Sequence, residues 1–361
     1  MNTPTGVRDV ARRRLAAQHL VGEHAVSPAE VVRHLGAVQA QEFASARWSL
    51  GQRSGADDAA VSAAYDRGEF LRTHLLRPTW HFVLPEDLHW IQALTSERVR
   101  NQDRYGARRA GVDEELVGRS RSLFERALTG GRDLTRAELK EALAVDGLDL
   151  SGPQLGHLTL RAEVDDVLTS GPMRGRLHTY MLVEERVGTR RRLDGDEALA
   201  ELTRRYFRSH GPASEKDFAW WSSLLLSQVR RGLQIIGGEL ERVTIDETVY
   251  WFDPTSPSHV ETAGALMLQT FDELVVAYTQ TRRVAYDEQP ARSTNPNTFA
   301  QPLVVDGQVV GTWRAKQNRG TPYVEIVAST GIRDLVAPEL ARYERFRGSP
   351  HPAVWVDSDA G

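Results

Sequence analysis

Two side-chain amides, Gln39 and Gln41, stand one residue apart in the stretch "GAVQAQEFASARW", and the carboxylate of Glu42 follows directly. An amide gives or takes no proton near neutral pH; it offers an acceptor oxygen and two donor hydrogens in a fixed plane. In a turn such groups ordinarily satisfy loop backbone, so any chemical role must come from their surroundings. Glu42 is the competing residue, a carboxylate that could act as a base.

Most familiar chemistries are missing from the chain. It has no G-x-x-x-x-G-K-[ST] phosphate cradle, no G-x-S-x-G elbow and no H-E-x-x-H pair. Zero cysteines exclude disulfides, thiolate metal sites and a thiol nucleophile. The histidines are scattered, so neither a metal nor another cofactor is expected. Asp57-Asp58 and Asp165-Asp166 look like paired acids, but they fall at helix starts or surfaces, where solvation and the helix dipole account for them. The positive charge is nearly all arginine, the only lysines being Lys140, Lys216 and Lys316.

The elements that must position the two amides are legible. "SPAEVVRHL" reads as a helix with Ser27 as N-cap, Pro28 in the first turn and Glu30 completing a capping box; Gly36 ends it. "FLRTHLLRPTWHFVL" reads as a hairpin turning near Arg77-Pro78, with Trp80 and Phe82 on a core face and polar groups on the other. The same theme, helices and then two strands, recurs twice. The second cycle has a capping box at Thr135 and Glu138, a long helix from Ser151 to Gly171 and a strand in "GRLHTYMLV". The third has three helices from Asp194 onward and a hairpin in "ELERVTIDETVYWF".

The expected fold class is therefore α+β: three tandem winged-helix modules at 6–84, 85–192 and 193–253, and a β-rich module with a final helix at 254–361. A chain of 361 residues, 40% apolar and 26% charged, suits several compact soluble units. In the last module Asp306-Gly307 is a hairpin turn, and 286–301 is a long polar loop. No apolar run approaches a membrane span, and the N-terminus lacks a signal-type apolar stretch, so a cytoplasmic location is expected, nucleoid-associated when DNA is bound. The net charge of −4 does not advertise a nucleic-acid binder, but "RVRNQDRYGARR" and "RGRLHTYMLVEERVGTRRR" are locally basic.

"LGAVQAQ", "LRTHLLRPTWHFVLPEDL", "TFDEL" and "VDGQVVGTWR", in that order and spread over nearly the whole chain, resemble the bacterial AlkZ/YcaQ-type DNA glycosylases. Members are tandem winged-helix proteins that excise bulky alkylated purines and can unhook interstrand crosslinks. Their hallmark is glutamine, an aliphatic residue, then glutamine or aspartate; Gln39-Ala40-Gln41 matches the two-glutamine branch. The resemblance implies that Gln39 and Gln41 are the catalytic pair. It implies that Arg72, His74, Arg77, Thr79 and His81, on the outward face of the first wing, border the lesion or the phosphates. Arg47, Arg314 and Asp272 (in a recurring Phe-Asp) join the DNA- or lesion-contacting set.

Hydrolysis of an N-glycosidic bond needs a water, a leaving base and tolerance of positive charge on the sugar. A cationic N3- or N7-alkylpurine departs without a strong general acid, and two amide carbonyls could hold the water at C1′. With no lysine near the motif, a Schiff-base lyase step is disfavoured and a monofunctional enzyme expected. The expected partner is double-stranded DNA carrying alkylated purines, bound by a monomer, with no membrane. The rival functions are a winged-helix regulator without catalysis and a protein that sequesters a DNA-damaging compound or its adduct.

Overall fold

A computed structural model describes residues 3–257, 264–286 and 300–357. Three helical clusters each close on a small antiparallel sheet, compatible with the three expected units. The first sheet has the order Val38–Gln39, Trp80–Val83, Leu71–His74. The second pairs Thr179–Leu182 with Leu134–Thr135 and Leu168–Ser170, and the third is the hairpin Glu241–Ile245 with Thr248–Phe252. The β-rich tail is a five-stranded sheet. Its final strand, Ala353–Asp357, runs parallel to Thr321–Ala328 after the Arg333–Arg347 helix and was not foreseen from the sequence.

Local chemistry explains most element boundaries. Ser27 accepts the Glu30 amide and Pro28 opens the helix, but Glu30 pairs with Arg33 at 3.0 Å and does not complete the box. The Thr135/Glu138 box forms in full. Gly36 stops the helix at φ +79°, a left-handed turn that sends the chain directly into the Val38–Gln39 strand. Asp306 and Gly307, both at positive φ, make the expected two-residue turn. The helix expected over Ser151–Gly171 ends at Val164, because Leu168–Ser170 is taken into the second sheet. Most of the expected 286–301 loop lies outside the described residues.

The cores run across the sequence. Leu71, Leu75 and Val83 of the first hairpin pack with Trp90, Tyr206, Phe218 and Trp221 of later helices. On its other side, Val38, Trp48 and Phe82 pack with Met267, Trp313 and Phe346 of the tail. Gly51 allows this second contact, since a Cβ there would stand 2.5 Å from the Phe346 ring. The Gln39 strand is thus held from both sides.

One buried ion pair joins the tail to the Phe43–Ser54 helix. Arg53 and Asp272 are wholly buried and meet in a two-pronged contact of 2.7 and 2.9 Å. Further Arg53 donors reach Gln18 and Ser49, and Asp272 also caps the short Glu273–Val276 helix by accepting the Leu274 amide. The expected lesion contact of Asp272 is corrected here: its carboxylate is occupied within the core. Replacing it (Asp272→Ala) strands a buried guanidinium and is expected to cost about 3–5 kcal/mol in urea unfolding. A loss below about 1 kcal/mol would contradict this role.

Candidate active site

Gln39 is fixed at four points. It pairs with His81 across the sheet, and its backbone N–H donates to Glu273 Oε1 at 2.8 Å while its carbonyl accepts from Gln269 Nε2 at 3.1 Å. Its side-chain oxygen accepts from Arg77 Nη2 at 2.8 Å. A guanidinium only donates, so this contact orients the amide: Oε1 faces Arg77 and the two Nε2 hydrogens face away.

Glu273 lies behind this arrangement with no exposed surface. Its second oxygen accepts from Trp221 Nε1 at 2.9 Å and lies 3.4 Å from His210 Nε2. Burial alone would push the carboxyl up; the nearby His210 ring and the Arg77 charge outweigh it and hold the group below its ordinary range. Burial keeps His210 neutral, so the permanent counter-charge is Arg77, itself almost fully buried. His81 Nδ1 faces the Thr79 carbonyl at 2.9 Å and therefore carries the proton, leaving Nε2 as an acceptor toward Arg77. Burial, and then the Arg77 charge, drive the His81 pKa down to about 3.

Gln39 opens onto a cleft of about 670 Å³ between the first hairpin, the long Pro85–Arg109 helix and the Glu215–Ser222 helix. Its polar lining comes from Gln39, Arg77, Thr79, Arg98, Gln102, Ser223 and Arg282; its apolar lining includes Pro78, Trp220, Leu225 and Val276. No carboxylic acid, histidine or lysine is among these residues. Thr79 Oγ1 is buried in the wall with no hydrogen-bond partner among the described residues.

The other expected residues distribute differently. Gln41 is half-buried outside the cleft lining, its Oε1 3.4 Å from the Trp80 amide. The outward face expected of the first wing is corrected. Arg72 pairs with Phe82 and Thr73 with His81, so Arg72 and His74 lie on one face of the sheet and His81 and Gln39 on the other. Both faces are covered, because the hairpin sits between two cores. Arg72 donates to the carbonyls of Ala40 and Gln41 at 2.9 and 3.3 Å and stacks on Trp80 at 4.3 Å; it braces the motif's backbone. His74 is buried against Glu163. Arg47 pairs with Asp58, while Arg314 is exposed and lines a separate groove of about 460 Å³ with Glu42 and Arg347.

Sequence reasoning missed Glu273, and it set Trp220 aside with Trp221 as helix core and not a base-stacking platform. It singled out Asp272, yet the neighbouring carboxylate is the one that reaches the motif, and nothing in "TFDEL" distinguishes the two. "WW" reads as helix core, which holds for Trp221 (fully buried) but not for Trp220, 45% exposed in the cleft. Helical spacing separates them, because adjacent positions on a helix point about 100° apart.

His81 yields a sign-defined pH dependence. Its folded pKa of about 3 lies below its ordinary 6.5, so the unfolded chain binds the extra proton between those values. The neutral ring contributes stability above about pH 6.5 that is lost as pH falls toward 3, with a slope near 1.4 kcal/mol per unit. Urea midpoints measured from pH 7 to 4 should fall less steeply in His81→Asn than in the parent protein. Parallel curves would contradict the assignment.

Among the described residues no helix is long and apolar enough to cross a membrane. No curated protein matches the chain at significant similarity. The solved structure of Streptomyces sahachiroi DNA glycosylase AlkZ has the same fold, with a TM-score of 0.80 over 98% of this chain and 100% of that one, at 22% identity. The family profile "DNA glycosylase AlkZ-like" matches residues 32–346, most of the chain and all of the site described above. A buried-carboxylate clamp on a glutamine beside an acid-free cleft is thus found in a protein that belongs to the AlkZ-like DNA glycosylase family.

Proposed function

We propose that this glycosylase hydrolyses the N-glycosidic bond of cationic alkylated purines in duplex DNA, bulky adducts and crosslinks included, and leaves an abasic site in an intact strand. The observation that carries this reading is the composition of the cleft. Gln39 is its only motif residue, and no side chain lining it can donate a proton as a general acid at neutral pH except through an arginine. A neutral purine leaves poorly without such an acid. An N3- or N7-alkylated purine is already cationic: as C1′–N breaks, the electron pair neutralises the base, water adds to C1′ and its proton passes to solvent. The site's chemistry therefore supports selection by charge.

Gln39 is the group suited to the water. One lone pair of Oε1 is taken by Arg77, and the other can accept from a water whose oxygen faces C1′. The carbonyl dipole then meets the charge that develops on the sugar. Because Arg77 holds the side-chain amide and Glu273 the backbone N–H of Gln39 in advance, little reorganisation is needed during the reaction. Gln41 has a lesser, positioning role in this scheme, with its backbone braced by Arg72. Exposed Arg98 and Arg282 at the cleft, and Arg314 on the long hairpin, suit salt-dependent contacts to phosphate. The absence of lysine from the cleft lining supports a monofunctional reaction.

The test is single-turnover release of N7-methylguanine from alkylated duplex DNA. The parent protein should free the base and leave an alkali-labile, uncut strand. Gln39→Ala should slow release roughly 10²–10³-fold, as for loss of an oriented transition-state group, and Gln41→Ala by about tenfold or less. Equal losses at the two positions would overturn the unequal roles. Strand cleavage without alkali would overturn the monofunctional reading.

A further inference from the structure

We propose that Trp220 is the platform on which the target base, or the planar part of its adduct, stacks in the Gln39 cleft, and that it contributes to selection of cationic purines. This rests on the glycosylase reading above and deepens it by naming the group that binds the leaving base. Trp220 occupies the last turn of the Glu215–Ser222 helix, which Ser223 terminates in a left-handed conformation at φ 57°. The ring is 45% exposed and lines the cleft that Gln39 also lines. Its indole N–H donates to the Val276 carbonyl at 3.0 Å, so the ring's only polar atom is satisfied within the protein and its plane is anchored.

The surroundings suit a flat ligand. Pro78, Leu225 and Val276 supply apolar walls, and Leu225 is itself 55% exposed. Trp220 and Leu225 together leave apolar surface on the cleft that a flat ligand can cover. Arg98 and Arg282 stand exposed on the same cleft, where they suit the phosphates of a nucleotide whose base lies on the ring. Arg77 lies 6.0 Å from the ring centroid, at the outer limit of a cation–π contact, so it does not occupy the ring as a partner would. Indole is the most favourable aromatic face for a cation, and a cationic alkylpurine is both flat and charged. The ring therefore prefers the alkylated base over the parent base, in the same direction as the leaving-group chemistry.

The experiment uses Trp220→Leu and Trp220→Phe in the full chain, with circular dichroism and thermal melting to establish folding. In single-turnover release of N7-methylguanine, Trp220→Leu should lose roughly ten- to hundredfold in rate over half-saturating DNA concentration, and Trp220→Phe much less. Binding of undamaged duplex should change less than threefold or so, since phosphate contacts are retained. A second readout needs no turnover. Tryptophan fluorescence of the parent protein should be quenched by 7-methylguanosine at lower concentration than by guanosine, and the extra quenching should vanish in Trp220→Phe. Unchanged release in a folded Trp220→Leu, or equal quenching in parent and Trp220→Phe, would overturn the proposal. If the parent protein itself released no base from any alkylated duplex, the glycosylase reading would fail; the quenching experiment would still decide whether Trp220 binds the cationic purine.

Discussion

The arrangement depends on one buried carboxylate. Glu273 is ionised with no exposed surface, and a desolvated anion of this kind persists only if hydrogen bonds and a counter-charge replace its water. Here they come from three sequence-distant places: the Gln39 backbone amide, the Trp221 indole N–H, and the Arg77 charge in the first hairpin. Satisfying this one group therefore fixes the first hairpin, the third helical cluster and the tail against one another. The same contacts set the backbone and, through Arg77, the side-chain orientation of Gln39.

This explains why the site is made of groups with little acid–base capacity. Burial drives His81 down, His210 is neutral and Glu273 stays charged, so none of them exchanges protons with a substrate near neutrality. What remains is orientation: a pinned amide, an arginine-rich rim and an aromatic ring. Such a site can hydrolyse a bond whose leaving group is already activated, and it has little means of attacking one that is not. On the proposed reading, selectivity follows from what the cleft lacks as much as from what it holds.

The parts of this arrangement that follow local rules were legible in the sequence. Ser27, Pro28 and Gly36 framed the helix before the motif, Thr135 and Glu138 formed their box, and Asp306-Gly307 turned the tail hairpin, because each depends on residues within a few positions. The motif resemblance singled out Gln39, which lines the cleft. The burial of Arg72, His74, Arg77 and His81 was not legible, since a polar strand face reads as solvent-exposed unless a second core covers it, and here one does. Pairing register also separated Arg72 from His81, which share an apparent face only if the turn has even parity. Glu273 was hidden behind Asp272: the choice between adjacent carboxylates is made by a capping contact and by the burial of Arg53, both long-range facts.

The most direct test is a double-mutant cycle between Glu273→Gln and Gln39→Ala, read as single-turnover base release in variants whose melting establishes that they fold. A neutral amide at 273 cannot accept from the Gln39 and Trp221 N–H groups at both ends, so the clamp is loosened while volume is kept. If Glu273 acts by positioning Gln39, Glu273→Gln slows release by itself, and the double variant is no slower than Gln39→Ala alone. Effects that multiply would contradict this account, and would mean that Glu273 serves the reaction independently of the glutamine it holds.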